Sequence, residues 1–165
     1  VGEKIRRALF VGSFDPITRG HLDIIEKSLR VVDELIIGIG VNANKKSTLS
    51  LEDRRLILEK IFSEEERVRV VSYSGELTVH LAERLSCSCL IRGIRDSKDF
   101  EYEQTIAQMN AQLAPEITSI FLMSDPKYRH ISSSLVKEIA SYGEDISPMV
   151  PAEVIAILKE AMEKA

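Results

Sequence analysis

The chain predicts a doubly wound α/β domain: a five-stranded parallel sheet with helices on both faces and a C-terminal helix. Three observations carry this. Short apolar runs recur at Ala8–Val11, Leu35–Val41, Val68–Val71, Cys89–Ile91 and Ile120–Met123. They show little polar alternation, as strands buried on both faces do. Segments with helical apolar spacing separate them, and β–α alternation is the pattern of a parallel sheet with crossover helices.

The helices follow in order. The first, 21–32, places Leu22, Ile25, Leu29 and Val32 on one face. The second, 51–62, opens with Ser50 as N-cap and Asp53 three residues on, a variant of the capping box. The third carries Leu77, Leu81 and Leu85, and the fourth Tyr102, Ile106, Met109 and Leu113 at helical spacing. The fifth starts in Ser132-Ser133-Ser134, runs to about Ser141 and stops near Gly143. The last begins at Pro151, a favoured first-turn residue, with Val154, Leu158, Ala161 and Met162 on one face. No repeat, low-complexity tract or linker interrupts this, so residues 1–165 are expected to form one domain.

Composition narrows the function. Apolar residues make up 44% and charged residues 29%, the profile of a globular chain. A net charge of −4 speaks against broad coating of nucleic acid, which needs a basic surface. No run approaches the ~20 apolar residues of a membrane span. The segment Val1–Arg7 lacks the apolar core of a signal peptide, and a cytoplasmic location is expected. Cys87 and Cys89, one residue apart, suit neither a zinc quartet nor a disulfide framework and read as thiols in a reducing compartment.

Chemistry concentrates at strand ends. After the first strand comes Gly12-Ser13-Phe14-Asp15-Pro16-Ile17-Thr18-Arg19-Gly20-His21, where a helix begins with glycine and histidine. Helix N-termini attract anions through unsatisfied N–H groups and the helix dipole. Asn42–Lys46 follow the second strand, Arg92-Gly93-Ile94-Arg95 the fourth, and Ile131–Ser134 the fifth. All lie at carboxyl ends, hence on one rim, where ligands of such sheets sit. Arginine forks, lysines, hydroxyls and N–H donors together suit a polyphosphate. Each residue also has a plain structural reading. His21, Lys45 and Lys46 could be solvated, the serines an N-cap, and Asp15 a turn stabiliser. The acidic segment Asp96, Asp99, Glu101, Glu103 could be a solvated helix start or a ribose or ammonium contact. His80 has no partner at metal spacing, and no triad, metal cage or Walker sequence is visible.

Thr18-Arg19-Gly20-His21 resembles the (His/Thr)-x-Gly-His signature of a nucleotidyltransferase superfamily. Arg92–Arg95 with Asp99-Phe100-Glu101-Tyr102-Glu103, Met109-Asn110 and Ile131–Glu138 make the chain similar, over roughly residues 6–160, to the bacterial phosphopantetheine adenylyltransferases. The resemblance implies a Rossmann-like fold and a penultimate step of coenzyme A synthesis. In it, ATP and 4′-phosphopantetheine give dephospho-coenzyme A and pyrophosphate. It also implies magnesium held mainly by ATP phosphates and water, with no protein metal ligand. A homohexamer and feedback by coenzyme A are implied as well, with neither nucleic acid nor membrane as partner.

The same resemblance assigns residues. His21 would stabilise the transition state, with Lys45 and Arg92 holding the acceptor phosphate. Ser13, Phe14, His21, Gly93, Ile94, Arg95, Glu103, Tyr128, Arg129, His130, Ile131, Ser132, Ser133 and Ser134 would form the ATP site. Ser13, Lys45, Leu77, Thr78, Arg92 and Asn110 would contact phosphopantetheine. Thr78 and the pair Arg129-His130 depart from the family's usual residues. A phosphate nucleophile is already ionised near neutral pH, so no general base is needed, and positioning with electrostatic stabilisation suffices. Two related reactions remain as rivals: adenylyl transfer to nicotinamide or nicotinate mononucleotide, and cytidylyl transfer. A regulator that binds nucleotide or coenzyme A without catalysis is a third.

Overall fold

The computed structural model describes residues 2–165. Val1, within the expected domain and the N-terminal segment, lies outside the described residues. Strands β1 (Arg7–Gly12), β2 (Glu34–Gly40), β3 (Val68–Tyr73), β4 (Cys89–Ile94) and β5 (Thr118–Met123) form one sheet in the order β3-β2-β1-β4-β5. All neighbouring pairs are parallel, and β1 pairs in register from Arg7↔Glu34 to Gly12↔Ile39. The chain winds outward through β2 and β3, then returns past β1 to lay down β4 and β5. Strand order therefore reverses between β1 and β4, and the crevice there opens at their carboxyl ends.

Alternation along the strands divides the core. Ala8 and Phe10, Leu35, Ile37 and Ile39, and Cys89 and Ile91 face one side. Leu9, Ile36 and Leu90 face the other. The first side is covered by α1 (Arg19–Ser28), α2 (Leu51–Ile61), α5 (Ser133–Ser141) and α6 (Ala152–Glu163), through residues such as Ile25, Leu58, Val136 and Leu158. The second is covered by α3 (Thr78–Arg84), with Val79, Leu81 and Ala82, and by Ala114 and Ile117. The remaining helix, α4 (Ser97–Leu113), leads into Ala114. Both cysteines are free and buried, and burial pushes the Cys87 thiol up to about 11.

Three expectations need correction. α1 begins at Arg19 and ends at Ser28, because Thr18 caps it and the chain turns from Leu29. His21 is therefore its third residue rather than an opening one. In α3, Leu77 is the N-cap and is exposed instead of packing. β4 runs through Arg92, Gly93 and Ile94, so Arg92 lies within the strand, paired in register with Phe121. The helical spacing on α4 falls on a largely exposed face. Tyr102, Met109 and Leu113 are 68%, 54% and 49% exposed, and the buried residue of that helix is Glu103. α4 meets the sheet through other side chains, Glu103 on Arg92 of β4 and Phe100 edge-on against Phe121 of β5.

Candidate active site

A cavity of about 320 Å³ occupies the crevice between β1 and β4. Its floor is Phe10, Val11, Gly12 and Gly93; α1 contributes Gly20, His21 and Ile24, and the loop before α5 contributes Tyr128, Ile131 and Ser132. Gly93 is required by a close approach. A Cβ there would lie 2.9 Å from Cγ1 of Ile24, so α1 rests directly on the strand backbone.

His21 is held by its own helix start. The Thr18 amide donates to Nδ1 at 3.0 Å, and the His21 amide donates back to the Thr18 hydroxyl at 3.3 Å. Because Nδ1 accepts, the neutral ring carries its proton on Nε2. Burial, with the charge of Arg95 second, holds the imidazole down at about 4. At neutral pH His21 is thus an uncharged N–H donor. Phe14 sits beneath it, ring centroids 5.1 Å apart and edge-on. Phe14 adopts φ 48°, a left-handed conformation unusual for an aromatic residue and kept here by the packing of its buried ring.

Arg92 is braced by a fork. Its Nε and Nη2 donate to the two carboxylate oxygens of Glu103 at 2.7 and 2.6 Å. That contact leaves Nη1 as the free corner of the guanidinium for a ligand oxygen. Arg95 is tied in turn to Asp99, whose Oδ2 accepts from its amide and its Nε, both at 3.0 Å. At the start of α5, Ser132 caps the helix by accepting from the Leu135 amide, and the Ser133 hydroxyl donates to the Pro16 carbonyl at 2.7 Å.

The cavity gathers His21, Arg92, Gly93, Arg95, Glu103, Tyr128, Ile131, Ser132 and Ser133 of the expected residues. Of these, Glu103 accepts from Arg92 through both carboxylate oxygens. Others stand apart. The side chains of Phe14 and Ile94 are each 2% exposed, so only their main chains could meet a ligand. Ser13 and Lys45 are exposed and do not line the cavity, and neither do Leu77, Thr78, Asn110, Arg129, His130 and Ser134. Thr78 instead lies with its hydroxyl 3.5 Å from that of Tyr73.

Two residues were not singled out by their sequence signals as braces. Asp15 is buried, and its carboxylate accepts from the amides of Thr48 and Leu49 at 2.9 and 2.7 Å and from Lys137 Nζ at 3.2 Å. Arg54, also buried, donates through Nη1 to the carbonyls of Ser13 at 2.9 Å and Gly40 at 3.4 Å. Its signal was an arginine on the apolar face of α2, three residues from both Leu51 and Ile57.

Comparison with known proteins agrees with this geometry. The family model described as cytidylyltransferase-like matches residues 9–139. A phosphopantetheine adenylyltransferase of Shouchella clausii is 41% identical over 160 residues, covering 97% of this chain and 100% of that protein. One from Syntrophomonas wolfei is 45% identical over 158 residues, covering 96% and 98%. The chain belongs to the phosphopantetheine adenylyltransferase family. The fold extends further than the family. A solved Vibrio parahaemolyticus protein described as a nicotinate-nucleotide adenylyltransferase superposes with a TM-score of 0.71 at 17% identity, covering 96% of this chain and 95% of that one. No helix among the described residues is long and apolar enough to cross a membrane.

Proposed function

We propose that the chain transfers AMP from ATP to 4′-phosphopantetheine, giving dephospho-coenzyme A and pyrophosphate. The observation that carries this reading is the cavity at the β1/β4 crevice. It joins a neutral histidine donor, two braced arginines and the serine-rich start of α5. Such a set fits a reaction that needs charge stabilised and oxygens positioned, with no side-chain nucleophile.

An oxygen of the acceptor phosphate attacks the α-phosphorus of ATP. The new O–P bond forms as the bond from that phosphorus to the oxygen bridging to the β-phosphate breaks, and pyrophosphate leaves with the electron pair. His21 Nε2–H donates to phosphate oxygens as charge builds, and the α5 start adds N–H donors. Arg92, with Lys45 brought over from its exposed loop, holds the acceptor. Among the described residues no group of three or more His, Cys, Asp or Glu is arranged to hold a metal ion. The carboxylates lining the cavity, Asp99 and Glu103, are engaged by arginines. In this proposal magnesium is held by the ATP phosphates and water, a mode that ion favours.

A homohexamer would cover the exposed apolar side chains of α4, a patch of the kind that marks an interface. Coenzyme A, which carries both an adenylyl and a pantetheine portion, fits the same rim as a feedback ligand. Two free thiols agree with a reducing, cytoplasmic setting.

Pyrophosphate release tests the reaction. Release is expected with ATP plus 4′-phosphopantetheine and not with nicotinate mononucleotide or with CTP. Release only with the mononucleotide or only with CTP would assign the rival transfer. Binding of both substrates without release would assign a regulator.

A further inference from the structure

We propose that Arg54 is a positioning residue for the acceptor half of the site, acting through Ser13 and through the root of the loop that carries Lys45. The inference rests on the adenylyl transfer proposed above. Among the described residues Arg54 is the one buried arginine, 5% exposed. The arginines at Arg7, Arg67, Arg84, Arg92 and Arg95 each meet a carboxylate. Arg54 meets none within 4.0 Å among the described residues. Its partners are carbonyl oxygens: Ser13 at 2.9 Å, Gly40 at 3.4 Å and Ser50, at the start of its own helix, at 3.4 Å.

A buried charge without a counter-charge is costly, and neutral carbonyl dipoles compensate it only in part. Its location gives it a use. Gly12 and Ile39 are register partners, so Ser13 and Gly40 are the residues at which β1 and β2 part. One guanidinium nitrogen spans that fork. On one prong the chain continues into the turn that begins with Ser13; on the other it enters Asn42–Lys46. The far end of that second segment is pinned separately, where Asp15 accepts from the amides of Thr48 and Leu49. Lys45 therefore rides on a span fixed at both roots, at Gly40 by Arg54 and at Thr48–Leu49 by Asp15. An acceptor phosphate arriving between Ser13, Lys45 and Arg92 would supply the anion that Arg54 lacks. Ser13 is expected to meet both substrates, but the remainder of the ATP side, on α1, β4 and α5, receives no hydrogen bond from Arg54 among the described residues.

That asymmetry is the test. Arg54→Met and Arg54→Lys are assayed for kcat, for KM of each substrate and for thermal midpoint. Binding of 4′-phosphopantetheine alone is followed by calorimetry. Arg54→Met is expected to raise the KM for phosphopantetheine at least about tenfold while the KM for ATP moves less than about twofold. Arg54→Lys, which keeps the charge but reaches fewer carbonyls, is expected to fall between. Equal rises in both KM values, or no rise in either, would overturn the assignment, because a merely structural arginine would not separate the substrates. If the Met form does not fold, the Lys form decides by the same split, and failure of both to fold also overturns it. Wild-type binding of phosphopantetheine without turnover would count against the reaction, and the calorimetric affinities of the variants would still decide Arg54.

Discussion

Thr18 and His21 satisfy each other across the first turn of α1, amide to ring nitrogen at 3.0 Å and amide to hydroxyl at 3.3 Å. The helix start thereby gains a cap, and the imidazole is fixed in orientation and tautomer by the same pair of bonds. The cap bond uses the Thr18 hydroxyl and the chemistry the imidazole, so substitution at each residue tests them separately. Thr18→Val keeps the shape and the amide but removes the hydroxyl. It is expected to lower stability by about 1 kcal/mol. His21→Ala is expected to lower kcat by at least about 10²-fold with the fold retained. Urea unfolding beside steady-state kinetics checks both, and near-normal turnover in a folded His21→Ala protein would remove His21 from the mechanism.

Acid sensitivity follows from the same histidine. Its pKa in the folded chain, about 4, lies below the ordinary 6.5, so the unfolded chain takes the proton first as pH falls. Stability from this group is present above pH 6.5 and is lost as pH falls towards 4. Between neutral pH and about pH 5 the loss amounts to about 2 kcal/mol. Urea titrations at the two pH values should show that loss in the wild type, with His21→Asn losing less by about that amount. An unchanged difference in the variant would mean that another group carries the pH dependence.

Glu103 offers a choice between two roles. With both oxygens on Arg92, its substitution should loosen the acceptor side rather than the nucleotide. Glu103→Gln is expected to raise the KM for phosphopantetheine more than the KM for ATP and to cost about 1–3 kcal/mol of stability. A rise confined to ATP would instead support the nucleotide contact implied by family resemblance.

Gly93 fixes the spacing between sheet and helix. Gly93→Ala places a methyl group 2.9 Å from Cγ1 and 3.2 Å from Cδ1 of Ile24, within α1. Overpacking of that kind costs about 1–3 kcal/mol. Because Ile24 is only three residues from His21, activity should fall as well. Combining it with Ile24→Ala should relieve the strain, seen as a favourable coupling in a double-mutant unfolding cycle. Simple additivity would show that the helix shifts freely.

Much of this was legible in the sequence. Five apolar runs gave the strands because a parallel sheet buried on both faces leaves no polar alternation to confuse them. The rim was legible because every chemical motif followed such a run. The rest was hidden for physical reasons. Tyr102, Met109 and Leu113 have helical spacing, but spacing reports a common face and not what covers it. Arg92 read as the end of a strand, whereas backbone pairing with Phe121 continues past it. Asp15 and Arg54 act on backbone groups distant in sequence, and no periodicity encodes the partner of a buried charge. Lys45 carried both a rim reading, from its place after the second strand, and a solvated one, and its side chain is exposed.

The Asp15 carboxylate ties three stretches of chain at one point: its own turn, the Thr48–Leu49 backbone and Lys137 of α5. Loop amides usually exchange with solvent hydrogen rapidly, since nothing cooperative holds them closed. Those of Thr48 and Leu49 should be slow, and should open together with the amides at the start of α5, as one subglobal unit. Asp15→Asn should release all of them at once, leaving exchange in the central strands unaltered. The rim of the sheet would then behave as a single thermodynamic body, and its loops would share one opening free energy.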